Sequence, residues 1–139
     1  MRKLARETVF KVIYKSLFLN GDLSSDEIIE EEGITLELDK DFEEDKKFID
    51  ELLSLYQQNK TEIDNKINGC LKNFEPNRVF KIDRAILSCC ITEILFYKNT
   101  PYKIVINEGV EMAKKYSTEK SYSFVNGVLK TIIGEINGD

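Results

Sequence analysis

Residues 101–129, PYKIVINEGVEMAKKYSTEKSYSFVNGVL, read as two amphipathic helices joined by a short polar loop. Val105, Ile106, Val110 and Ala113 fall at helical spacing in the first. Val125, Val128 and Leu129 do so in the second, continuing to Ile132 and Ile133 beyond it. Apolar residues at three- and four-residue steps share one face of a helix, so each segment buries a stripe and leaves its charged residues to water. Nothing in the stretch has the arrangement of an active site.

The same period extends towards the N-terminus. Ala5, Val9, Val12, Ile13 and Leu17 predict a helix over 4–19, stopped by Asn20 and Gly21. Ser24 and Glu27 have the spacing of a capping box opening a short acidic helix that Gly33 ends, and residues 34–40 read as a loop. Phe48, Ile49, Leu52, Leu53 and Tyr56 mark a helix over 41–58, and Ile63, Ile67, Cys70 and Leu71 another that fades near Phe74. Pro76 lacks a backbone donor and disfavours helix at Glu75, which predicts a break between an N-terminal half of about 1–75 and a C-terminal half of about 76–139. Past it, Ile86, Leu87, Cys90, Ile91, Ile94 and Leu95 make a stripe broad enough for a central helix over 82–97, interrupted by Thr100 and Pro101. Only two prolines and no sustained alternation leave little room for strands. The expectation is an all-α fold, a compact helical bundle forming a single domain.

Composition narrows the function. The 139 residues suffice for one domain with its own core, and no apolar run reaches the ~18 residues a membrane-spanning helix needs. The start, MRKLARETVF, lacks the apolar region of a secretory signal, so the cytoplasm is the expected compartment. With no histidine, a Ser-His-Asp or Cys-His arrangement is excluded and the commonest zinc ligand is missing. Cys70, Cys89 and Cys90 are odd in number, and the adjacent pair lacks the gap of a metal grip, so they read as reduced core residues. The seven glycines are scattered and form no phosphate-cradling loop. Glu108 and Glu111, three apart, read as ordinary helix surface. The chain is expected to be neither an enzyme nor a carrier of metal or cofactor.

A net charge of −5 argues against indiscriminate binding of polyanions, yet the charge is unevenly spread. Arg2, Lys3, Arg6, Lys11 and Lys15 face only Glu7 within residues 1–20, whereas twelve acidic residues oppose Lys40 alone in 22–45. A basic end on an acidic body can hold nucleic acid locally. The acidic segment reads as a solvated connection that could also repel RNA from the wrong face.

Three blocks carry a resemblance. Residues 105–114 and 124–129 contain V-I-N-E-x-V-E-x-A-K and F-V-N-G-V-L. Ala5, Arg6 and Glu7 are followed by Tyr14, and Asp83, Arg84, Ala85, Ile86 and Leu87 continue to Thr92, Glu93, Ile94 and Leu95. In this wording and order the chain resembles the NusB family of transcription antitermination proteins, over roughly residues 2–136. The resemblance implies about six to seven helices in two small helical subdomains and an RNA-binding transcription factor. Such a factor holds boxA-like single-stranded RNA of nascent ribosomal RNA leaders together with a small ribosomal-subunit protein, and helps RNA polymerase pass terminators. The polymerase elongation complex would then be an indirect partner, no membrane is involved, and self-association into a homodimer stays open. By the same resemblance, Arg2, Lys3 and Arg6 are expected to meet RNA phosphates. Lys120, Ser121 and Phe124 belong to a second RNA-facing loop, with Phe124 equally readable as core. Tyr14 and Asp83 are nominated for the protein partner, against the plainer readings of a core ring and a helix cap. Two rival readings are a helical protein-interaction module that needs no cations, and an auxiliary RNA-binding domain like those of rRNA methyltransferases, for whose catalytic domain 139 residues leave no room.

Overall fold

In the computed structural model, residues 2–18, 42–71 and 79–138 are described, and among them the chain is all α. Six α-helices follow in order: α1 (Arg2–Ser16), α2 (Phe42–Gln58), α3 (Lys60–Gly69), α4 (Lys81–Thr92), α5 (Tyr102–Tyr116) and α6 (Ser121–Ile136). The predicted Ser24–Glu27 cap, the acidic helix and the Glu75–Pro76 break lie outside the described residues. No helix is long and apolar enough to cross a membrane, and no group of side chains could hold a metal ion, among the described residues.

The core forms where the apolar stripes meet. α4 is the central element, with Ala85, Ile86, Leu87, Cys89, Cys90 and Ile91 all buried, and it packs on α1, α2, α3, α5 and α6. Around it lie Val9 and Ile13 of α1, Leu52 and Tyr56 of α2, Ile63 and Ile67 of α3, Val105 of α5 and Leu129 of α6. Every stripe expected from periodicity faces this core. Leu17, Cys70, Leu95, Ile106, Val110 and Ile133 sit at its edge, half-buried. α5 and α6 form an antiparallel pair whose tight spacing depends on Gly109, where an added Cβ would lie 2.8 Å from Cys90 Sγ and 3.2 Å from Leu129 Cδ1.

The central helix does not stop at Thr92. It runs on as a π-helical turn, Glu93–Tyr97, and ends at Lys98, whose φ of 63° is left-handed and whose N–H donates to Glu93 O at 3.0 Å. That wider turn at the end of α4 sets Glu93 inside the bundle, fully buried.

Cys89 and Cys90 are packed inside, and burial raises both thiols above their ordinary range, so neither offers a thiolate. In a thiol titration of the native protein, half-buried Cys70 is expected to react first and the other two only on unfolding. Equal rates for all three would contradict this packing.

Candidate nucleic-acid and partner interface

The residues singled out in the sequence divide between the two ends of α1. At the N-terminal end, Arg2 and Arg6 are one turn apart and so point the same way, towards α2 and the π-helical turn. Arg6 is only 5% exposed. Its Nε donates to Glu93 Oε1 at 2.8 Å and its Nη2 to Glu93 Oε2 at 2.7 Å, a bidentate pair that Thr100 completes by donating to Oε2 at 2.6 Å. Burial works against the Arg6 charge, but the hydrogen bond and charge of Glu93 outweigh it and raise the guanidinium above its ordinary range. Arg2 lies 4.1 Å above the Phe48 ring and donates to the Tyr97 hydroxyl at 3.4 Å, while Lys3 faces solvent. The expected three-cation tip is therefore corrected: Arg6 is an internal ion-pair partner, leaving Arg2 and Lys3 at the surface. A charge count over neighbouring residues could not reveal this, because Glu93 lies 87 positions away.

At the C-terminal end, Tyr14 is half-buried and meets Phe10 at 6.4 Å and Phe18 edge-on at 5.1 Å. Phe18 is 57% exposed, with Lys81 Nζ 5.1 Å from its ring centre. Phe10 stacks obliquely on Tyr116 at 5.1 Å, and both Lys11 and Lys115 reach over the Tyr116 ring. Lys115 also donates to buried Glu7 at 2.9 Å, and that bond raises its pKa.

Next to this aromatic row opens a groove of about 700 Å³ between the start of α4 and the α5–α6 loop, lined by Phe80 and Asp83 on one side and Thr118, Lys120, Tyr122 and Phe124 on the other. Phe80 is 57% and Tyr122 43% exposed, and Lys114 Nζ stands 5.3 Å from the Tyr122 ring centre. Lys120 projects into solvent, whereas Phe124 is half-buried and packs on the core. Ser121 and Asp83 are not surface groups: both are buried, and Ser121 donates to Asp83.

Tyr14, Asp83, Lys120, Ser121 and Phe124 thus come together at one end of the molecule, with Arg2 and Lys3 at the other end of α1. Sequence reading missed Phe18, Phe80, Lys81, Lys114 and Tyr116. A signal for them was present, since Phe80-Lys81 and Lys114-Lys115-Tyr116 alternate aromatic and basic residues as single-strand binding surfaces do. Chemically, the groove offers exposed ring faces for stacking and an ammonium group for phosphates, while the Ser121–Asp83 pair in its lining is buried.

Comparison with known proteins is consistent across the chain. The model of the NusB family matches residues 3–134. A transcription antitermination protein NusB of Clostridium botulinum (strain Kyoto / Type A2) is 37% identical over 144 residues, covering 95% of this chain and 99% of the relative. Among solved structures, NusB of T. maritima superposes with a TM-score of 0.80 at 33% identity, covering 95% of this chain and 89% of that one. A structure of the antitermination factors NusB and NusE in complex with dsRNA superposes with a TM-score of 0.80 at 31% identity, covering 94% of each chain.

Proposed function

The chain belongs to the NusB family, and from that premise we propose that it is an RNA-binding transcription antitermination factor acting with a small ribosomal-subunit protein. Its RNA target in this reading is a boxA-like single strand in nascent ribosomal RNA leaders, and its effect is to help RNA polymerase pass terminators. It works in the cytoplasm as a binding protein, not as an enzyme. One observation carries the reading: Phe80 and Tyr122 expose their rings in a single groove flanked by Lys81, Lys114 and Lys120, on a chain that is otherwise acidic. Unstacked bases lie on exposed rings and phosphates draw lysines, so such a groove favours a single strand over a duplex, whose bases are already stacked.

Half-buried Tyr14 of α1 and exposed Phe18 just past its end continue the same face, and we assign them to the protein partner, because aromatic residues are enriched at the buried centres of interfaces. The partner and the RNA would then lie side by side. A similar NusB was crystallised with both NusE and dsRNA, which supports a protein partner and RNA as the two classes of ligand. Arg2 and Lys3, at the far end of α1, would contact phosphates only of a strand long enough to run along the helix.

Mobility-shift titration tests this. The protein and the ribosomal partner together are expected to bind boxA-like RNA more tightly than either alone, and more tightly than scrambled or duplex RNA. Equal affinity for cognate and scrambled strands at physiological salt would overturn the proposal.

A further inference from the structure

Asp83 lies at the third position of α4, 4% exposed, with both carboxylate oxygens engaged. Ser117 Oγ donates to Oδ1 at 2.6 Å and Ser121 Oγ donates to Oδ2 at 2.8 Å. Each serine has one hydroxyl proton, and Asp83 receives both. The 2.9 Å approach of Ser117 Oγ to Ser121 Oγ therefore carries no proton of its own, and the 2.9 Å bond between Thr118 and Ser121 has Thr118 as donor. The result is a directed set of hydroxyls converging on one carboxylate. Ser117 closes α5 and Ser121 opens α6, so this carboxylate ties the two ends of the α5–α6 loop to the first turn of α4, three residues after Phe80.

We propose that Asp83 is a positioning residue for RNA binding: by accepting from Ser117 and Ser121 it holds Lys120 and Tyr122 of the loop in register with Phe80 across the groove. It touches neither RNA nor protein partner itself. This rests on the RNA-binding reading above and assigns Asp83 a role different from the partner contact expected for it. The physical reason is preorganisation. A loop already fixed in its binding shape loses little conformational freedom when the strand arrives, whereas a loop released from its anchor must be ordered at the expense of affinity. At 4% exposure the carboxylate also presents almost no surface to a strand or a partner.

The test is a cycle of Asp83→Ala, the Ser117→Ala/Ser121→Ala pair, and all three together. RNA titration is done without the ribosomal partner, partner titration without RNA, and amide hydrogen exchange is followed along the loop. Asp83→Ala and the serine pair should each weaken RNA binding about tenfold, and the triple variant no further, because all break one latch. Asp83→Asn, which keeps one acceptor, should fall between Asp83→Ala and wild type. Loop amides should exchange faster while those of α1 and α4 stay protected, and partner affinity should hold. Additive losses, or faster loop exchange with unchanged RNA affinity, would overturn the proposal. So would a partner defect in Asp83→Ala that the serine pair does not share, which would mark a direct contact. Should Asp83→Ala fail to fold, the serine pair decides by the same readouts. Failure of the wild-type protein to bind any RNA would refute the function itself and this inference with it, whereas wild-type binding with indifferent variants refutes the latch alone.

Discussion

Arg6→Ala is expected to destabilise the fold by about 3–5 kcal/mol, as breaking a buried ion pair from one side does, with the denaturant midpoint as the measurement. The cause is what remains behind. Glu93 is fully buried, and without the guanidinium its carboxylate keeps, among the described residues, only the Thr100 hydroxyl. A domain of ordinary stability has roughly 5–15 kcal/mol in total, so this one change would consume a large share. Arg6→Lys should recover part of the loss, since an ammonium restores the charge but not the two parallel bonds. Arg6→Met combined with Glu93→Leu should recover most of it, because an apolar pair leaves no orphaned charge.

The Arg6 contribution also has a defined pH dependence. Its folded pKa is raised, so the stabilisation is fully present below the ordinary guanidinium value and fades only as pH rises past the still higher folded value. No loss through this group is expected across the neutral range. Folded Arg6→Ala protein should bind RNA almost as wild type does. Strong loss of RNA affinity with unchanged stability would show that Arg6 faces the strand after all.

Lys81→Ala, Lys114→Ala and Lys120→Ala together should weaken RNA binding on the order of 100-fold at low salt. They should also flatten the dependence of log affinity on log salt by about 2, at roughly 0.7 for each single-strand phosphate contact removed. Lys114 approaches Glu111 at 3.6 Å, but both are exposed, and such a surface pair holds its lysine only weakly. Phe80→Ala and Tyr122→Ala act through a different term. Each should cost about 1–3 kcal/mol of binding, as loss of a base–ring stack does, and leave the salt slope as it was. The two signatures separate charge from stacking in one set of titrations. If the lysine triple and the aromatic variants bind as wild type, the strand lies elsewhere, and Arg2 and Lys3 become the next residues to change.

The helices were legible in the sequence because their evidence is local. Apolar residues at three- and four-residue steps mark the buried faces of α1, α2 and α4, and Thr100 with Pro101 marks the gap before α5. The π-helical turn was not legible, since 93–97 continues the same apolar stripe and only the left-handed Lys98 shows where it ends. The site was legible in part. Lys120, Tyr14 and Asp83 stand out in the sequence, but their placement at one end depends on contacts between distant segments: Asp83 with Ser117 and Ser121, Phe10 with Tyr116, Lys81 with Phe18. Arg6 misled for the same reason. A basic residue near a terminus looks solvent-facing until the fold supplies Glu93 beside it.

Gly109 occupies the place that the V-I-N-E-x-V wording leaves open, yet the packing around it is closed. Cys90 and Leu129 press on that backbone from two other helices, so the three positions share one small volume. A lineage that acquires a side chain at 109 must first, or at once, shrink its neighbour at 90 or 129. Tolerance at one letter of the motif is thus borrowed from residues 19 positions before it and 20 after it, and related chains are expected to trade volume among the three sites with their sum nearly constant.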